Sequence, residues 1–314
     1  MLLDARRRTV LVGLCGALAV ACGFNTSAVE PPLSVHQPGD HVRFAVIGDY
    51  GQAGPDEAAV AELVHGWKPD FVITLGDNNY PNGRATTIDE NVGQYYHDFI
   101  APYRGGYGEG SDINRFFPAL GNHDWRTPNA RPFLEYFSLP GNERYYELRW
   151  GPVHLFAIDS DRHEPDGRTA DSEQARWLAE RMSASTLPWQ LVYMHHAPLS
   201  SGDHGSSPPL MWPYGRWGAD AVFAGHDHHY ERLEHEGVPY FVNGLGGNPH
   251  RYDLSEPLPD SVVRYREEHG AMLVEATRNG IEFQFVTVGG RQIDHRVLGQ
   301  PLEQDTQAVS DSPS

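Results

Sequence analysis

Ile73-Thr74-Leu75-Gly76-Asp77-Asn78-Asn79-Tyr80 is the stretch on which the reading of this chain turns. Phe71 to Leu75 is a short apolar run rich in β-branched residues, which predicts a buried strand. Gly76 ends the run and delivers Asp77 at the strand's C-terminal edge, where α/β sheets place their ligands. Tyr80 follows three residues later, in a loop too polar for a core. A carboxylate shared by two cations needs such a place, fixed by a rigid strand yet open to a crevice. Taken alone, the stretch also reads as an acidic turn closing a strand. Four other apolar runs, however, end in residues able to bind metals. Val42–Ile47 leads to Gly48-Asp49-Tyr50-Gly51, and Phe117–Leu120 to Gly121-Asn122-His123-Asp124. Trp189–Met194 leads to His195-His196-Ala197-Pro198, and Ala221–Ala224 to Gly225-His226-Asp227-His228-His229.

Working outward, helical spacing is predicted over 55–67, 92–103 and 171–182, the last amphipathic through Ala175, Leu178 and Met182. Further strands are predicted over 145–149 and 153–158, around the turn Gly151-Pro152. Beyond Tyr230 strands follow one another at 239–243, 271–276, 281–287 and 293–298. Helices between the early strands and hairpins later predict a layered α/β protein with two packed sheets.

The chain has 314 residues, a formal charge of −18, and Cys15 and Cys22 as its only cysteines. Its acidic balance argues against nucleic acid, whose binding needs cations to neutralise phosphates. It leaves open a small phosphorylated substrate, since a local metal site reverses the sign of the field. Residues 1–22 read as an export signal. Arg6, Arg7 and Arg8 precede an apolar stretch, Val10–Ala21, too short to span a bilayer. Ala19-Val20-Ala21-Cys22 resembles a lipobox, which would make Cys22 a lipidated N-terminus and the only link to a membrane. Ordinary cleavage near Ala21 would instead give a soluble secreted protein, and Arg7-Arg8-Thr9-Val10-Leu11 resembles a twin-arginine signal. The expected location is therefore extracytoplasmic: periplasmic, membrane-anchored or secreted. Residues 23–40 read as a flexible tether, 41–300 as one catalytic domain and 301–314 as a disordered tail. Oligomeric state is not legible.

Each candidate ligand has an ordinary alternative. Asp49 could close a turn, Asn122 could cap a helix, and a lone histidine is commonly a satisfied polar residue. Gly225-His226-Asp227-His228 is hardest to explain so, because residues two apart after a buried strand point to the same side. Oxygen donors mixed with imidazoles are what a dinuclear site for phosphoester chemistry demands.

In this order, Gly48-Asp49, Gly76-Asp77-Asn78-Asn79-Tyr80, Gly121-Asn122-His123-Asp124, His195-His196 and Gly225-His226-Asp227-His228 resemble the calcineurin-like metallophosphoesterases. The likeness runs from about 42 to 298. Within that superfamily the chain is similar to the short purple acid phosphatases. Gly51 stands where many relatives have a histidine, while Tyr80 stands where the purple enzymes have a tyrosine. The resemblance implies a four-layer α/β/β/α sandwich with two packed, mostly mixed β-sheets and the metal site at strand C-terminal ends. It implies that Asp49, Tyr80 and His228 bind Fe(III). Asn122, His195 and His226 would bind Fe(II), Zn or Mn(II), and Asp77 would bridge the two ions. A hydroxide activated between them would attack phosphorus in line. His123 and His204 are the candidate catalytic residues, and His196 and His229 the candidate cleft wall. His163 and His250 fall in polar loops that could form a rim. The leading expectation is an exported phosphomonoesterase. A phosphodiesterase or nucleotide pyrophosphatase on the same site is the second, and a non-catalytic surface protein that keeps the fold is the third.

Overall fold

The computed structural model describes residues 33–35 and 41–302. Side chains alternate between two faces along each central strand, and this builds the layers. In β2 (Val42–Ile47), Val42, Phe44 and Val46 enter one apolar cluster, while Ala45 and Ile47 enter another. β3 (Phe71–Thr74) divides in the same way, Phe71 and Ile73 against Val72. In β6 (Val153–Ala157), β7 (Trp189–Tyr193) and β8 (Ala221–Ala224), Leu155, Leu191 and Phe223 join the first cluster. Phe156, Val192 and Val222 join a third. The first cluster lies between two sheets, and the other two cover their outer faces.

The remaining strands are β1 (Leu33–Val35), β4 (Phe116–Pro118), β5 (Tyr146–Trp150), β9 (Tyr230–His235) and β10 (Val238–Asn243). They are followed by β11 (Ser261–Tyr265), β12 (Gly270–Ala276), β13 (Gly280–Thr287) and β14 (Gln292–Gly299). One sheet has the order β14-β13-β12-β2-β3-β4, and the other β1-β5-β6-β7-β8-β10-β9-β11. Both are mixed. Helix Pro55–Trp67 lays Val60, Ala61 and Val64 on the six-stranded sheet, and helix Glu173–Ser183 lays Ala175, Leu178 and Met182 on the eight-stranded one. The result is an α/β/β/α sandwich. β2, β3 and β4 run parallel, as do β6, β7 and β8.

Several expectations are corrected. The helix expected over 92–103 is instead an irregular one, from Asp89–Gly93 through Gln94–Tyr96 to His97–Phe99. It stops before Pro102, which has no N–H for the Asp98 carbonyl and disfavours helix in the residue before it. Arg115 satisfies the Asp98 and Phe99 carbonyls instead, and Ser111 N–H that of Ile100. β9 and β11 were missed, as was the short helix Arg131–Tyr136. Within the stretch 23–40, expected to be a tether, only Leu33–Val35 is described, and it pairs in parallel with β5. The export signal and residues 303–314 lie outside the described residues. Among the described residues, no helix is long and apolar enough to cross a membrane.

Polar ties also cross the apolar layer between the sheets. Tyr146 Oη donates to the Pro118 carbonyl at 2.8 Å, and Asn243 Nδ2 to that of Val46 at 3.1 Å. Asp294 on β14 accepts from Tyr230 Oη at 2.8 Å and from Arg232 Nε at 2.7 Å, both on β9. Removing one partner of a buried pair leaves an uncompensated charge, at a cost of about 3–5 kcal/mol. Glu234 also contacts Arg232, at 2.6 Å, so the low end applies. Asp294→Ala is expected to lower stability by about 3 kcal/mol in urea denaturation, and the exposed Gln292→Ala by less than about 0.5 kcal/mol.

Candidate metal centre

Three of the strand ends leave their sheets through left-handed backbone. Asp49 has φ 56°, Asp77 φ 53° and His226 φ 72°. Non-glycine residues held there cost about 1–3 kcal/mol each, and such strain gathers at functional sites. Packing enforces it. A Cβ on Gly121 would lie 2.1 Å from Asp77 N and 2.3 Å from its Oδ1, so only glycine lets the two strand ends approach.

Two groups of donor atoms result. In the first, Tyr80 Oη lies 3.2 Å from Asp49 Oδ1 and 3.2 Å from His228 Nε2, and those two lie 3.3 Å apart. In the second, His195 Nε2 lies 2.9 Å from Asn122 Oδ1 and 3.1 Å from His226 Nδ1. Asp77 stands between them: Oδ1 is 3.5 Å from His195 Nε2, and the carboxylate is near enough to Tyr80 for its charge to push the phenol pKa up. Atoms bound at about 2.1 Å to one ion lie roughly 3–3.4 Å from one another. The donor spacing therefore fits two neighbouring cations.

The second contacts of the imidazoles fix which nitrogen faces inward. His195 Nδ1 donates to the Leu75 carbonyl at 2.8 Å, and His228 Nδ1 donates to the His250 carbonyl. Each leaves an Nε2 lone pair aimed into its group, a common orienting device for ligand histidines. Asp49 Oδ2 accepts the His226 N–H at 2.8 Å, and Asp77 Oδ1 accepts the His123 N–H at 2.8 Å.

Electrostatics point the same way. Burial would raise the Asp49 pKa, but His195, His228 and the His226 amide outweigh it and hold the carboxylate ionised. Burial, with His195 and His196 beside it, pushes His226 down and keeps it neutral. Burial, then the Asp77 and Asp49 charges, push the Tyr80 phenol well up, so its ionisation needs a strong local cation. Ionised carboxylates and neutral imidazoles are the binding forms of metal ligands. Burial would lower the His195 and His228 pKa values, but the neighbouring Asp77 and Asp49 carboxylates raise them, so these two rings bind a cation by giving up a proton. Buried Asp49, Asp77 and His195, with His196 and His226 alongside, make a dinuclear metal-binding site near the strand C-termini.

The structure places the seven residues expected as ligands within reach of one another, in two groups of donor atoms on either side of Asp77. One detail differs. His226 and His228 reach the centre on consecutive tight turns rather than strand, with Asp227 N–H on the Gly225 carbonyl and His229 N–H on that of Asp227. They enter different groups.

His123 and His204 flank the centre. His123 Nδ1 donates to the Pro81 carbonyl at 2.7 Å, and Nε2 lies 3.8 Å from Asp77 Oδ2. The His204 ring stacks on His226 at 4.1 Å and meets Tyr252 edge-on at 4.8 Å. His196 sits beside His195 and His226, its Nδ1 3.0 Å from Ser160 Oγ. His229 Nε2 lies 3.3 Å from Glu231 Oε2. His163 contacts Asp161, and His250 packs on Tyr252.

Three supporting residues escaped sequence reasoning. Asp227 accepts the His204 N–H at 2.8 Å and the Ser200 hydroxyl at 2.5 Å. Glu231 accepts Ser201 N–H and Oγ, both at 2.7 Å, and Ser261 Oγ at 2.6 Å. Burial would raise the Glu231 pKa, but His229 and these bonds hold it at about 2. The two carboxylates thereby fix the loop that carries His204. Tyr252 stacks on His228 at 4.5 Å. The available signal was Asp227 between two histidines and Glu231 two residues beyond the last one, after a buried strand where water cannot solvate them.

The sequence matches the family described as Calcineurin-like phosphoesterase over residues 42–230, and the chain belongs to that family. Purple acid phosphatase 17 of Arabidopsis thaliana is 25% identical, the match covering 96% of this chain and 98% of that protein. Purple acid phosphatase 7 of the same plant is 27% identical, over 82% of this chain and 86% of that one. The structure of purple acid phosphatase PPD1 from yellow lupin seeds superposes with a TM-score of 0.69 at 16% identity. That match covers 82% of this chain and 54% of the lupin one. The fold is that of a metal-dependent hydrolase.

A carboxylate between two cations cannot become an amide without weakening both sites. Asp77→Asn is expected to lose at least one equivalent of metal, and the exposed Asp203→Asn to keep two, by elemental analysis of the purified proteins. Full metal content in Asp77→Asn would move the centre elsewhere.

Proposed function

We propose that this member of the family is a phosphomonoesterase of the purple acid phosphatase type, acting on a small phosphorylated substrate. Asp49, Tyr80 and His228 would hold Fe(III), Asn122, His195 and His226 would hold Fe(II), Zn or Mn(II), and Asp77 would serve both sites. The observation that carries this reading is the Tyr80 hydroxyl 3.2 Å from both Asp49 and His228. A phenolate with carboxylates suits a hard trivalent ion, while imidazoles with an amide oxygen suit a divalent one. When bound, such a pair of ions clamps phosphate and lowers the pKa of a water. The export signal read in residues 1–22, with Cys22 as a lipid site, places the enzyme outside the cytoplasm in this reading.

The chain's own groups do the rest. His123, held through Nδ1–H by the Pro81 carbonyl, presents Nε2 beside Asp77. Burial lowers its pKa, so Nε2 donates to a phosphoryl oxygen, and stabilises its charge, only when the ring takes up a second proton as the anion arrives. His204, on a loop pinned by Asp227 and Glu231, lies at the mouth, where a departing alkoxide needs a proton. A positioned general acid supplies about 10²–10⁴-fold. An imidazole has a suitable pKa for that role. Nitrophenolate leaves with little help.

Two experiments test this. Ferric phenolate absorbs visible light by charge transfer, so the iron-loaded protein is expected to be coloured and Tyr80→Phe to bleach it at unchanged fold. A colourless wild type containing ferric iron would overturn the Tyr80 assignment. His204→Ala is expected to slow alkyl phosphates at least tenfold more than nitrophenyl phosphate, whereas His123→Ala slows both equally, with metal content retained in each. Equal losses in His204→Ala would remove the proton-donor role. Comparing mono- and bis-nitrophenyl phosphate on one preparation separates a monoesterase from a diesterase. Fully metallated protein inert toward every phosphoester would leave a non-catalytic protein.

A further inference from the structure

Beside the metal centre lies a crevice of about 580 Å³ whose charge is opposite to that of the chain. Over the whole sequence acids outnumber Lys and Arg by 42 to 24. The crevice wall carries Arg126, Arg162 and Arg168 against a single acid, Asp161. That acid is buried and already engaged, accepting the His163 amide at 2.9 Å and the His163 ring Nδ1 at 2.6 Å. Asn122 and His196, both beside the metal-binding cluster, form the inner end of the same wall. The space is therefore continuous with the place where a phosphate would react.

The arginines keep capacity for a ligand. Arg126 spends Nη1 on the Pro81 carbonyl at 2.8 Å, and Arg168 spends Nη1 on the Ser160 carbonyl at 3.3 Å. A guanidinium has five N–H donors, so each retains a fork able to grip an anion in two places. Arg162 is exposed on the rim. Trp125, its indole N–H fixed on Asp159 Oδ2 at 2.9 Å, supplies a rigid wall between them. A neutral leaving group gains nothing from three guanidinium groups, whereas a second phosphate gains charge-assisted hydrogen bonds.

We infer that this crevice binds a second phosphoryl group, so that the preferred substrate carries another phosphate, on the scissile one or a short linker away. The inference rests on the phosphoesterase reading of the centre and sharpens it to a substrate class. No further co-reactant is needed: for pyrophosphate, one water adds across the P–O–P bridge and two orthophosphates leave.

Arg162 tests it, because nothing above places that residue in the metal centre or its supports. With the metal-loaded full chain, Arg162→Ala is expected to raise the KM for inorganic pyrophosphate and for 1,3-propanediol bisphosphate about tenfold. That corresponds to one charge-assisted contact of about 1.4 kcal/mol. Their kcat, and both constants for nitrophenyl phosphate, should change less than twofold, with Arg162→Lys recovering part of the loss. Calorimetric binding of methylenebisphosphonate should weaken about tenfold in Arg162→Ala while orthophosphate binding does not. Equal changes for mono- and bisphosphorylated compounds, or none for either, would overturn the subsite. The calorimetric arm reads the subsite even in a protein without turnover. Absence of turnover on all phosphoesters would sink the phosphoesterase reading, and a lost calorimetric difference the subsite alone.

Discussion

The buried Asp77 carboxylate, held between two groups of donor atoms, is the constraint on which the rest depends. A charge so placed is costly unless it is paired and hydrogen-bonded. Asp77 receives the His123 amide and faces His195, but its neighbours also include Asp49 and Tyr80. Such a set is tolerable only where cations are expected to reside. The left-handed turns at Asp49, Asp77 and His226 follow from the same demand, since a relaxed backbone would carry these side chains away from one another.

The two sheets satisfy that demand by meeting at one edge. β2, β3 and β4 end there from one sheet, β7 and β8 from the other. The bonds from His195 to Leu75 and from His226 to Asp49 then tie loops of opposite sheets directly. A slip of either sheet would open both donor groups at once. Polar ties deeper in the sandwich, such as Asp294 with Tyr230 and Arg232, resist that slip where the interface is otherwise apolar and permissive.

How much of this was legible depends on where each residue gets its partner. The strands ending in Asp49, Asp77, His195 and His226 announced themselves because their apolar runs need no distant partner to be recognised. β9 did not. Its Glu231, Arg232 and Glu234 break any apolar run, yet Glu231 is sealed by Ser201 and Ser261, and Arg232 by Asp294 on another sheet. The helix expected over 92–103 was misjudged in spite of a local signal, Pro102, which cannot continue it. Arg115 and Ser111, eleven to seventeen residues from their partners in sequence, satisfy the carbonyls left open there. Long-range polar partners leave no local trace.

Gly225-His226-Asp227-His228-His229-Tyr230-Glu231 shows how one short stretch serves two purposes. The imidazoles of His226 and His228 turn to the centre, each into a different donor group. Asp227 and Glu231 turn the other way and grip Ser200, Ser201 and the His204 amide. The centre and the loop that overhangs it are therefore positioned by the same few residues, on backbone held by consecutive tight turns. The loop is anchored to that segment through carboxylates that water cannot reach. Recognition beyond the centre falls to walls that the segment does not control, among them the arginine-lined crevice, where the chain's negative charge gives way to guanidinium groups.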